Sequence, residues 1–214
     1  SIDSVKRDMR IFTPIALGLM ILLLILSFRS WTGTFLPLFV VGFSILWTFG
    51  LMAWLDISVP IIGGLIPIML IAIANNYGIH IISHYYEFTK LDLNLDRVEI
   101  LKRTMIRLGM PIFLAGFTTV ISFLSLVTHE LSKVREIGLL VSFGIAVSFF
   151  LSLLLIPAIL ILVPRPTYLG KEKSLETVNN FLVNWGKFFV KNRAPFLAVL
   201  FSIMFIFSFG IRDI

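Results

Sequence analysis

Six stretches of the 214-residue chain are too long and too apolar for a soluble fold: Ile11–Phe28, Thr34–Leu55, Val59–Ser83, Met110–Val127, Ile137–Val163 and Ala194–Gly210. A helix needs roughly 20 predominantly apolar residues to cross a bilayer core about 30 Å thick. The interruptions in these runs are Gly, Pro, Ser, Thr, Asn or His. Helices carry such residues in lipid when neighbours satisfy the freed backbone groups. Composition agrees: 58% of the residues are hydrophobic and only 14% charged, against about 25% charged in an ordinary soluble domain. The expected fold is therefore all-α, a polytopic membrane bundle of six transmembrane helices. Pro14, Pro37, Pro67, Pro111 and Pro157 lie inside or at the edges of the runs, where they predict kinks or helix starts.

The connections set orientation. Arg29–Gly33 and Asp56–Ser58 are short enough to make antiparallel hairpins of their flanking helices, and His129–Glu136 is also short. Two connections, His84–Gly109 and Pro164–Arg193, are longer and charged. With loops assigned alternately to two sides, Arg29, the bases of 84–109 and those of 164–193 fall together, giving twelve Lys or Arg. The other side holds six, Lys6, Arg7, Arg10, Lys133, Arg135 and Arg212. The richer side is expected in the cytoplasm, and both ends of the chain then face outward. With the net charge of +6 largely flanking membrane segments, nucleic acid is not an expected partner.

Two further helices are expected on the cytoplasmic side. In Asp96–Leu108, Val98, Leu101, Met105 and Leu108 recur at helical spacing opposite Arg97, Lys102, Arg103 and Arg107. In Ser174–Lys191, Leu175, Val178, Phe181, Leu182, Trp185, Phe188 and Phe189 form one stripe, with Ser174 as N-cap. That helix either lies in the headgroup region or packs on the cytoplasmic ends of the bundle.

The chemistry is bounded by what the chain lacks. It has no cysteine, which removes disulfides, thiol catalysis and thiolate metal sites, and no HExxH, Walker or GxSxG motif occurs. Ser83-His84 has no carboxylate partner within a span. An enzyme, a cofactor and a metal site are accordingly not expected. None of the twelve acidic residues falls inside a spanning segment either, although an intramembrane carboxylate is the usual carrier of a proton. What polarity the membrane does receive is concentrated in Ala72–Glu87, AIANNYGIHIISHYYE. Helical spacing puts Asn76, His80, Ser83 and His84 on one face with Asn75 beside it. The amides either line a polar path or bind a neighbouring helix by hydrogen bonds. His80 is the one titratable group in the spans. Thr118 and Thr119, followed by Ser122 and Ser125, form a second polar cluster whose hydroxyls can also bond their own backbone.

Several motifs in fixed order resemble the resistance–nodulation–division (RND) superfamily. They are Phe28-Arg29-Ser30, Leu36-Pro37-Leu38, Trp47–Met52, Ile66-Pro67, Asn76-Tyr77-Gly78-Ile79-His80, Tyr85-Tyr86-Glu87, Gly109–Ile112, Phe117-Thr118-Thr119, Phe123–Leu126 and Arg135–Gly138. The nearest branch is the lipid and hydrophobe exporters, whose five-helix core is shared with sterol-sensing domains. The resemblance implies that 11–163 are helices two to six of a twelve-helix transporter, preceded at 1–10 by a lead-in from an outward porter domain. Residues 164–193 would then be a cytoplasmic linker, and 194–214 helix seven leading into a second half. The family pattern carries Asp where this chain has Asn76, and that Asp belongs to the proton relay. An amide cannot titrate there, so the resemblance implies the fold more directly than it implies proton coupling.

The function expected on these grounds is export of a lipid or other amphiphilic substrate through the bacterial inner membrane. Asn75, Asn76, His80, Thr118 and Thr119 would form the coupling centre. Membrane lipids, the second half of the same transporter, and a further copy or an accessory envelope protein are the expected partners. A lipid sensor or scaffold of the sterol-sensing type, and a membrane subunit of a protein-export complex, are the alternatives.

Overall fold

The computed structural model describes residues 2–57, 64–91 and 95–163, with scattered helical positions between 183 and 202. The chain divides into two units, Ser1–Leu169 and Gly170–Ile214. The first contains five long helices: α1 (Ile2–Phe28), α2 (Trp31–Trp54), α3 (Leu65–Leu91), α4 (Arg97–Leu124) and α5 (Ser132–Leu162). No strand occurs among the described residues. All five helices are long and apolar enough to cross a membrane. The protein is thus a multi-pass, all-α membrane protein. The sixth expected span, Ala194–Gly210, and the stripe in 174–191 fall mostly outside the described residues.

Local chemistry fixes where the helices begin. Ser30 caps α2, its Oγ accepting from the Gly33 N–H at 3.1 Å, and Asp96 caps α4 by accepting from the Arg97 N–H at 2.8 Å. Only Arg29 and Ser30 separate α1 from α2, and Arg29 closes α1 in the left-handed region with φ 47°. Glycine usually takes that position. Asp56, after α2, adopts the same geometry with φ 53°.

The separate amphipathic helix expected at Asp96–Leu108 is instead the first half of α4, which runs unbroken through Pro111. Proline removes one hydrogen bond, here to the Arg107 carbonyl. The inward face of this segment also differs from the expected stripe. Ile100, Leu101 and Thr104 are buried, Met105 and Leu108 pack beside them, and Val98 is exposed. At 27 residues, α3 is about 40 Å long, some 10 Å more than the core needs. Near its end the Phe88 ring meets α4, the Arg107 guanidinium lying 5.7 Å from the ring centroid.

The bundle is held by close approach of small residues, the rule where lipid offers no hydrophobic drive for helix association. Ser44 on α2 donates to the Gly144 carbonyl of α5 at 2.6 Å, and Ser148 on α5 donates to the Ala74 carbonyl of α3 at 3.0 Å. Around these bonds Val40, Leu70, Tyr77, Ile81, Val141, Ile145 and Ile156 form the core. At the other end, the buried Tyr86 hydroxyl of α3 lies 2.8 Å from both Ser30 Oγ and Thr32 Oγ1. Tyr86→Phe removes both bonds and is expected to cost about 1 kcal/mol. Thermal unfolding of the purified protein in detergent checks this, and an unchanged midpoint would show that the pair does not hold the turn.

Candidate functional site

The polar residues of α3 separate onto three faces. Asn76, His80, Ser83 and Glu87 follow one another at intervals of four, three and four, and all are exposed. They make a single stripe along the outer side of the helix. Tyr77 is turned about 100° away, buried between α4 and α5. There its side chain adjoins Thr119 of α4 and packs edge-on against Phe149 of α5, with centroids 6.0 Å apart. Asn75 is turned the opposite way, into a groove against α1.

On α4 and the turn that follows it, Thr118, Ser122 and Ser125 are exposed and Thr119 is half-buried. Each hydroxyl is already donated to its own helix. Thr118 Oγ1 lies 2.8 Å from the Leu114 carbonyl, Thr119 Oγ1 2.7 Å from Ala115, Ser122 Oγ 2.8 Å from Thr118, and Ser125 Oγ 2.7 Å from Ser122. Spent donors leave these oxygens as acceptors, so a partner on this face would have to bring the proton.

The two stripes belong to one surface. Tyr77 meets Thr119 and Phe88 meets Arg107, so α3 and α4 run antiparallel. Asn76 precedes Tyr77 and Thr118 precedes Thr119. Rotating about 100° back along each of two antiparallel helices leads to the same side of their junction. Asn76 and His80 thus face the same way as Thr118 and Ser122. The sequence-predicted centre is brought together for Asn76, His80 and Thr118. Thr119 sits beneath them on Tyr77, while Asn75 is directed elsewhere. His84, grouped with the stripe by spacing, is half-buried at its edge, Nδ1 lying 2.8 Å from Glu87 Oε2 without the alignment of a hydrogen bond. Sequence reasoning missed Tyr77 as the joint between the helices, although its place between Asn76 and Gly78 in the motif could have signalled it. Among the described residues no group of His, Asp or Glu could hold a metal ion.

A model described as the MMPL family matches residues 1–196. The chain belongs to the MMPL family. MMPL proteins are part of the RND superfamily, so the ordered motifs reflect common descent. A putative membrane protein of Methanocaldococcus jannaschii, MJ1562, is 26% identical over 163 residues, covering 76% of this chain and 42% of its own. The sulfolipid-1 exporter MmpL8 of Mycobacterium tuberculosis is 25% identical over 107 residues, 50% of this chain and 10% of its own. The apo-petrobactin exporter of Bacillus anthracis is 27% identical over 169 residues, 75% of this chain and 22% of its own. The MMPL chain thus matches between 10% and 42% of the length of these relatives.

Proposed function

We propose that this chain is the membrane half of an MMPL exporter that moves a lipid or other amphiphile outward across the inner membrane. Its α3–α4 face would carry the coupling. The observation behind this reading is the stripe Asn76, His80, Ser83 on α3, exposed beside Thr118 and Ser122 on α4. Polar side chains at membrane depth almost always face a bundle interior or a watered cavity. This surface is thus an inner wall, and the second half of the same transporter is its partner. The two halves rock against each other about that wall. The exporters among the relatives, named for sulfolipid-1 and apo-petrobactin, favour export over lipid sensing. The excess of Lys and Arg in 84–109 and 164–193 supports a cytoplasmic position for these segments, so the five-helix core would begin on the outer side and end on the cytoplasmic one.

Asn76 carries no proton at neutral pH, so any relay acid lies in the second half and the amides and hydroxyls here orient its water. The test is reconstitution of the full-length protein in proteoliposomes loaded with a fluorescent amphiphile. Release is expected only when a proton gradient is imposed. Retention of the amphiphile under every gradient would overturn the export reading.

A further inference from the structure

The passage from α4 into α5 runs through a histidine. Leu131, the N-cap of the 31-residue α5, is apolar and makes no side-chain capping bond. The first amides of a helix have no partner within it and need acceptors from outside. One acceptor comes from upstream, where the Leu131 N–H donates to Nδ1 of His129 at 3.1 Å. Asn and Asp side chains form turns by the same bond to an amide two residues on; here an imidazole makes it. His129 also closes the 3-10 turn Ser125–Thr128, its own N–H donating to the Leu126 carbonyl at 3.1 Å. Just beyond, Gly138 of α5 lies so close to Leu126 and the Phe123 carbonyl that a Cβ has no room. A change at the head of α5 is thereby passed to the end of α4.

We propose that His129 is an acid-sensitive latch, closed while its imidazole is neutral and released when the ring takes a proton. An Nδ1 that accepts a hydrogen bond has no proton of its own. Protonation makes it a donor, so that two donors face each other. The imidazolium would also stand at the positive end of the α5 dipole, which disfavours a cation. Both effects have one sign. Histidine is the side chain whose charge ordinarily changes between about pH 5 and 8, so the latch holds above that window and is lost as pH falls through it. The other charged groups near the ring are Glu130 and, on α5, Lys133, Arg135 and Glu136. The Lys133 ammonium pairs with Glu136 at 3.0 Å. After Arg107, α4 carries no charge, and the 3-10 turn has none. Among the described residues that turn packs on no element other than α4 and α5. The latch needs only this geometry and does not rest on the export reading.

The experiment measures hydrogen–deuterium exchange at the start of α5, in the full-length protein in phosphatidylcholine nanodiscs. Rates are taken at about pH 7.5 and about pH 5.5, either side of the usual imidazole transition, and corrected for the intrinsic pH dependence of exchange. Protection of the Leu131 amide is expected to fall about fivefold at the lower pH, the loss of one ordinary hydrogen bond. His129→Asn should stay protected at both, because its carboxamide oxygen accepts from the same N–H and takes no charge. His129→Ala should exchange fast at both. His129 is exposed, so neither variant disturbs packing. Equal protection of the unaltered protein at the two pH values would overturn the proposal. So would an equal fall in His129→Asn, which would assign the response to another group, or a protected Leu131 in His129→Ala.

Discussion

Asn76→Leu is expected to abolish export while the protein inserts, folds and accumulates at no less than the normal level. Asn76 is exposed, so no packed neighbour within this unit depends on it. Leucine is also easier to place in a bilayer than an amide, so insertion is not impaired. What is lost is a group able to donate and accept at the centre of the α3–α4 wall, next to the Tyr77–Thr119 joint. Export into the medium and the melting temperature of the purified protein, measured on the same preparation, separate the two effects. Unchanged export with a normal melting temperature would remove Asn76 from the mechanism. Lost export with a collapsed melting temperature would make it a structural residue.

Gly138→Ala is expected to be the most damaging single methyl addition in the bundle. A Cβ at Gly138 would lie 2.6 Å from Leu126 Cβ and 2.8 Å from the Phe123 carbonyl oxygen. These atoms belong to the end of α4 and the 3-10 turn Ser125–Thr128, so they cannot yield by rotating a side chain. Overpacking costs typically 1–3 kcal/mol, and a clash with backbone belongs at about 3. Gly42 is the control, since a Cβ there meets nothing within 4 Å. Thermal unfolding in detergent should show a large loss for Gly138→Ala and almost none for Gly42→Ala. Equal behaviour of the two would mean that the turn gives way freely.

The spans were legible because about 20 consecutive apolar residues leave a helix few alternatives in a bilayer. Expectation failed where charge interrupts the run. Arg97–Leu108 reads as a separate surface helix, yet α4 passes through Gly109 and Pro111 without a break. Hydropathy marks where a helix leaves the apolar core, whereas the helix itself ends at its caps, Asp96 and the turn at Ser125. The stripe Asn76–His80–Ser83 was readable for a similar reason, since spacing alone fixes which residues share a helical face. Which neighbour each face meets is a tertiary fact. The adjacent amides Asn75 and Asn76 look equivalent in the sequence and are separated by α1 on one side and open surface on the other. Arg29 and Asp56 were equally unreadable, because their left-handed backbone is one that glycine would have advertised.

The hydroxyl of Tyr86 bears on how α3 can move. It ties the last turns of the helix to Ser30 and Thr32, at the cap and first turn of α2. Sliding α3 along its axis would break both bonds together, whereas tilting it about that foot preserves them. Asn76 stands ten residues away, an arm of about 15 Å, so a tilt of a few degrees displaces it sideways by about an ångström. The helix is thereby built as a lever with its fulcrum at the Ser30–Thr32 end, and its free travel lies toward the Leu65 end.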